Sequence, residues 1–106
     1  SKNDNITESE NLNGFSSKRK KAEDMDWILP HMRENWGSEK IVTRGIMHDV
    51  NDLPGFVAEQ NGRPVGIILY KIVGKQCEIV LIESFIEKIG IGTSLINRIK
   101  LNLMNS

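Results

Sequence analysis

Asn61-Gly62 stands between two apolar runs, GFVAEQ (residues 55–60) and RPVGIILYKIV (residues 63–73). Both residues tolerate the positive φ of a tight type I′ turn, which makes the dipeptide a strong short-range signal for an antiparallel hairpin. Gly74-Lys75 marks a second turn, and QCEIVLIESF (residues 76–85) supplies a third strand. Residues 55–86 therefore read as a three-stranded antiparallel meander. Gly66, inside the second run, predicts a bulge or a close backbone approach. KIVTR (residues 40–44) is a further short β-branched run, and HDVNDLPG (residues 48–55) reads as a loop.

A sheet of this kind needs covering, and two segments can cover it. Met25, Ile28, Leu29, Met32 and Trp36 form a helical stripe within residues 23–36. Glu23, Asp24 and Asp26 crowd its start, where carboxylates suit the helix dipole. Asn35, Gly37 and Ser38 make its stop, and Pro30 is expected to cost it a hydrogen bond. Leu95, Ile96, Ile99 and Leu103 form a second stripe near the end of the chain. The fold class expected is α/β in the α+β sense: an antiparallel meander of about four strands flanked by helices.

Residues 1–13 are polar apart from Ile6 and Leu12 and read as a flexible tail or tethered arm, leaving 14–106 as the folded domain. Four basic residues follow, Lys18 to Lys21. A solvated edge strand or tail is the plainer reading, and a nucleic-acid patch the sharper one. Fourteen Lys plus Arg balance fourteen Asp plus Glu across the 106 residues, and that neutrality argues against nucleic acid as a partner. No apolar stretch approaches the roughly 18 residues of a membrane span, so no membrane partner is expected. The single cysteine, Cys77, forms no intrachain disulfide, which fits a cytoplasmic protein.

Chemistry concentrates in one loop. Gly90 and Gly92 lie between the third strand and the last helix, where glycines permit close backbone approach and successive N–H groups can hold an anion. Thr93 or Ser94 can add a hydroxyl. GIGTS lacks the lysine of a P-loop, and Leu95 stands where a dinucleotide fingerprint needs its last glycine. A tight turn without a ligand is the competing reading of the glycine pair.

From about Met25 to Lys100 the chain resembles the N-terminal two-thirds of the GNAT superfamily of acetyl-CoA-dependent N-acetyltransferases. The matching features, in order, are the acidic-start helix ending in Trp36-Gly37, then VTRG, LPGFVAE, NGRPVGIILY, CEIVLIES and GIGTSLI. GNAT proteins carry an R/Q-x-x-G-x-G/A loop whose backbone amides hold the coenzyme A pyrophosphate. The loop here is Glu87-Lys88-Ile89-Gly90-Ile91-Gly92, followed by Thr93. Glu87 replaces the usual Arg or Gln, and Lys88 is a nearby cation that partly compensates. The resemblance implies acetyl-CoA as cosubstrate, an amine as acceptor, and a pantetheine arm lying along Ile82, Glu83, Ser84, Phe85 and Ile86. It also implies a glutamate base in an E-I-V context, matched by Glu78, with Glu83 a second candidate. Simple alternation sets Glu78 beside Val80 and Ile82, opposite Cys77, Ile79 and Leu81.

Other residues carry less. His31, His48, Asp49 and Ser84 lack the surroundings of a hydrolase set, although His48-Asp49 falls in a region that borders the acceptor cleft in GNAT proteins. No metal-ligand spacing is present. Cys77 reads as a small buried apolar residue, and Trp27 and Trp36 as core. GNAT domains continue with a splayed fifth strand, a helix and two further strands, so the C-terminal part of the fold is expected to be absent here. The tyrosine that often acts as general acid in GNAT proteins belongs to that part and is expected to be absent with it, since Tyr70 lies on the hairpin. Two functions follow: an acetyltransferase, incomplete in this chain, or a non-catalytic remnant binding a CoA-like anion or a protein. In the second case the bare strand 76–86 invites a homodimer.

Overall fold

The computed structural model describes residues 9–10, 14–87 and 90–104. Its main sheet has five antiparallel strands in the order β1-β2-β5-β6-β7. They are β1 (Ser9–Glu10), β2 (Ser16–Arg19), β5 (Gly55–Gln60), β6 (Arg63–Val73) and β7 (Gln76–Ser84), with β3 (Lys40–Thr43) and β4 (Ile46–Asp49) forming a separate hairpin. Helix α1 (Met25–Trp36) covers one face and α2 (Ile91–Met104) the other. The meander read from Asn61-Gly62 is present, with Asn61 at φ 55° and Gly62 at φ 78°.

The sheet extends beyond the expected strands. Lys18 to Lys21 is solvated only in part: Arg19 and Lys21 are exposed, but Lys18 pairs with Asp24 and Glu59 at 3.3 and 3.1 Å. Arg19 donates to Asn102 Oδ1 at 2.6 Å, and Lys20 Nζ donates to the carbonyls of Val50 and Leu53 at 2.8 and 2.5 Å. These cations tie β2 to its surroundings rather than offering a basic patch. Ser9 and Glu10 pair with Ser17 and Ser16, so this part of the expected tail is a tethered arm. The remainder of 1–13 lies outside the described residues.

Residues 48–55 depart from the expected loop, because His48 and Asp49 end β4 and pair with Ile41 and Lys40. The β3–β4 turn repeats the backbone of the Asn-Gly turn with Arg44 at φ 52° and Gly45 at φ 78°. Arginine in that conformation is uncommon, which is why the pattern does not announce itself.

Helix α1 stops where expected, with Gly37 at φ 74° and its N–H donating to Arg33 O at 3.0 Å. Pro30 sits inside the helix on its exposed side and lacks the N–H that the carbonyl of Asp26, also exposed, would otherwise accept. Two buried clusters fill the domain. Phe15, Phe56, Ala58, Val65, Ile68, Tyr70, Ile91, Leu95 and Ile99 pack between sheet and α2. Ile28, Met32, Ile41, Val50, Leu53, Val57, Ile67, Leu69 and Leu81 pack between sheet and α1.

Two bulges decide which side chains meet which helix. Val65 is an extra residue in β6, next to Gly66. A Cβ on Gly66 would come within 2.7 Å of Ile91 Cγ2, so both readings of this glycine hold: a bulge and a close approach. Val80 is an extra residue in β7, between the pairs Leu69↔Leu81 and Tyr70↔Ile79. Alternation therefore breaks at Val80. Leu81 and Val80 pack with the α1 cluster, and Ile82 lies beside Gly92 on the α2 side. Glu78 accordingly shares its face with Leu81 and Glu83 and not with Ile82, which corrects simple alternation.

Candidate functional site

The glycine loop leads directly into α2. Gly90 has φ 100°, a backbone that favours glycine, and its carbonyl accepts the first helical bond from Ser94 N–H at 2.8 Å. The N–H groups of Ile91, Gly92 and Thr93 precede that bond and lie at the positive end of the helix. Around Gly92 there is room: among the described residues a Cβ there would meet Ile82 Cδ1 alone, at 3.7 Å. Ile91 is fully buried, so a ligand at this end meets its backbone and not its side chain. Thr93 is exposed. Lys88 lies outside the described residues.

The strand before the loop presents backbone on its outer side. Phe85 N–H donates to Val65 O at 2.8 Å. Gly66↔Ser84 is therefore a non-hydrogen-bonded pair, and the N–H and C=O of Ser84, like those of Ile82 two residues earlier, point away from β6. Among the described residues β7 pairs with β6 alone, so these groups face an open edge. Ile82 and Ile86 are about 40% exposed there, which an extended apolar-and-amide chain would cover. Phe85 is different: its N–H is used by Val65, and its ring packs on Trp27 and His31 at centroid distances of 5.9 and 4.7 Å.

Two glutamates of β7 face the α1 side, in different company. Glu78 Oε2 accepts from Arg44 Nη1 at 3.3 Å across a groove of about 520 Å³ lined by Thr43, Arg44, Gln76, Cys77, Glu78 and Ile79. Glu83, near the loop end of β7, holds His31 Nε2 at 2.8 Å with one oxygen and Trp36 Nε1 at 3.3 Å with the other. Asn35 Nδ2 lies 3.1 Å from His31 Nδ1. Sequence reasoning had no route to this cluster, because His31 and Glu83 are 52 residues apart and meet only through packing.

The remaining candidates have structural roles. His48 is buried and bonded to Thr43 Oγ1 at 2.8 Å, one contact away from the groove. Asp49 accepts from Asn51 N–H at 2.9 Å and from its side-chain amide, which hold its carboxyl below the ordinary value. Cys77 is partly and not fully buried, and burial pushes its thiol up, away from the reactive thiolate. Trp27 packs on the α1 cluster, whereas Trp36 is half exposed and is not core. No group of three or more His, Cys, Asp or Glu able to hold a metal ion occurs among the described residues. No helix among them is long and apolar enough to cross a membrane.

Two curated proteins of Bacillus subtilis (strain 168) are similar to the chain. Uncharacterized protein YdhI is 35% identical over 68 residues, which is 63% of this chain and 42% of that protein. Uncharacterized protein YxbD is 30% identical over 74 residues, 69% of this chain and 46% of that protein. The chain thus spans less than half the length of these relatives. No protein-family profile and no solved structure matches it.

Proposed function

We propose that the chain carries the coenzyme-binding portion of a GNAT-type N-acetyltransferase, in which acetyl-CoA donates an acetyl group to an amine. One observation carries the reading: the outward backbone of Ile82 and Ser84 runs into the roomy N-terminus of α2 at Gly90–Thr93. A pantetheine arm has amides that pair with such an edge, and a pyrophosphate has oxygens that suit the N–H groups at the helix start. The antiparallel order β2-β5-β6-β7, with one helix on each face, supports the same reading. Glu78 and Glu83 are the carboxylates on the face where an amine would lose its proton. A cytoplasmic setting goes with acetyl-CoA as cosubstrate.

Gly92→Ala tests this. Its Cβ makes an ordinary contact with Ile82, and alanine favours a helix over glycine by about 1 kcal/mol, so the variant should fold and melt slightly higher. The same methyl group stands where phosphate oxygens would approach. In calorimetry, wild type should bind acetyl-CoA below millimolar and Gly92→Ala about tenfold more weakly. Absence of heat from wild type at millimolar acetyl-CoA refutes the reading.

A second reading rests on the open edge itself. β7 is the outermost strand described, with Ile79 and Ile82 exposed, and a second copy pairing along residues 76–86 would cover it. Light scattering at rising concentration decides it: a strict monomer at high concentration removes this alternative.

A further inference from the structure

Between α1 and the loop end of β7 the carboxylate of Glu83, the imidazole of His31 and the amide of Asn35 stand in line. A carboxylate accepts and an amide nitrogen donates, so both contacts require the same tautomer of His31. In the neutral ring that places the proton on Nε2, toward Glu83, and the lone pair on Nδ1, toward Asn35. Trp27 and Phe85 hold the ring from its sides, with centroids at 6.5 and 4.7 Å. The second oxygen of Glu83 is fixed by the Trp36 indole, so the carboxylate has little freedom to turn away. The side chains of His31 and Glu83 are 22% and 24% exposed, which leaves the pair partly dry yet open to a solute. Asn35 is exposed, and its amide, which also donates to the His31 carbonyl at 3.0 Å, must give way to an amine that reaches Nδ1.

We infer that His31 Nδ1 is the base that deprotonates the acceptor amine, and that Glu83 is its positioning residue. The inference rests on the acetyl-transfer reading and sharpens it. A histidine backed by a carboxylate becomes an imidazolium stabilised by that charge, which is what a base needs at the moment it takes a proton. Position favours the pair over Glu78. Glu83 belongs to the segment 82–86 along which the pantetheine arm is proposed to lie, whereas Glu78 is four residues upstream of that segment and bound to Arg44.

An ammonium acceptor gives one proton to Nδ1 and becomes R–NH2. Its lone pair attacks the thioester carbonyl carbon, the C–N bond forms, and the C–S bond breaks with its electron pair on sulfur. The acylated nitrogen sheds a second proton, which the thiolate takes. His31 then releases its own proton to water. Among the described residues, Glu83 is the ionisable group in contact with His31.

The test uses the full chain, with calorimetry against acetyl-CoA and thiol release with three primary amines: an alkyl diamine, a lysine peptide and an arylethylamine. His31→Gln is expected to bind acetyl-CoA as wild type does and to lose about 100-fold in kcat at neutral pH. That deficit should narrow as pH rises toward 10, where the free amine forms without help. Glu83→Gln is expected to lose about tenfold, and it carries the same test should His31→Gln melt early. Nitrogen-15 NMR should find neutral His31 protonated on Nε2. The base role is overturned by His31→Gln turning over within threefold of wild type, by an Nδ1–H tautomer, or by bound acetyl-CoA that acetylates none of the amines. Failure of wild type to bind acetyl-CoA overturns the loop reading and the base role together, so the binding measurement tells the two failures apart.

Discussion

The two faces of the central sheet are made by the same strands and finished differently. Toward α2 the packing is apolar to its margin, and its polar neighbours serve the packing. Arg98 and Arg19 lie over Phe56 at 4.8 and 5.2 Å, and Arg98 donates to Ser17 O at 2.7 Å. Toward α1 an apolar centre of similar make-up is ringed by Asp24, His31, Glu78 and Glu83. One face is finished by apolar packing, while the other holds Asp24 buried and keeps His31, Glu78 and Glu83 partly exposed. Polar chemistry collects along the α1 side, and truncations should read out differently on the two sides.

Leu95→Ala, on the closed face, should have the largest effect. Its side chain is fully buried against the sheet, and such truncations cost about 2–5 kcal/mol. Each kcal/mol lowers Tm by about 4–8 °C in a domain this small. A loss under about 1 kcal/mol in thermal or urea melting would mean that this face is plastic, and the contrast would fail.

Gly66→Ala comes next, at about 1–3 kcal/mol, because its Cβ would press on Ile91 Cγ2 at 2.7 Å and Glu83 O at 3.0 Å. A neutral result would show that α2 can lift from the sheet. Asp24→Asn then tests the open side. Burial pushes the Asp24 carboxyl up, but the Lys21 N–H at 2.8 Å, the Trp27 indole and Lys18 outweigh it and hold the group below its ordinary value. A depressed carboxyl stabilises the fold above its unfolded pKa of about 3.9 and loses that contribution as pH falls through the folded value. The variant should therefore be about 1–2 kcal/mol less stable than wild type at pH 7, and the two stabilities should converge in acid. Parallel curves down to pH 2 would remove Asp24 from the account.

Arg44→Ala should do least. Arg44 is largely exposed, and an exposed ion pair contributes about 0–1 kcal/mol, so melting should move by a few degrees at most. A larger loss would mean that the groove side is as tightly built as the α2 side.

Much of this architecture was legible in the sequence. The Asn61-Gly62 turn, both helices and the constraint at Gly66 each follow from local chemistry and are where they were expected, although the last members of the two stripes, Trp36 and Leu103, are exposed. The β3–β4 hairpin escaped because its turn uses Arg44 in a conformation that asparagine or glycine normally signals. The faces of β7 escaped because a bulge among consecutive β-branched and apolar residues leaves no mark on the pattern. The His31–Glu83 contact depends on how α1 lies on the sheet, and no local rule carries that information.

The extra residue in β7 has a consequence for how the chain can change length. Removing one residue from a strand ordinarily turns every neighbour on one side of the cut to the opposite face. In β7 the ladder already pairs Ile79 and Leu81 with adjacent residues of β6, and Val80 is surplus to it. Deleting Val80 would shorten the strand and relax its local twist while every other side chain kept its side. The strand carries a spare residue, and a deletion there is the one that Glu78 and Glu83 would both survive in place.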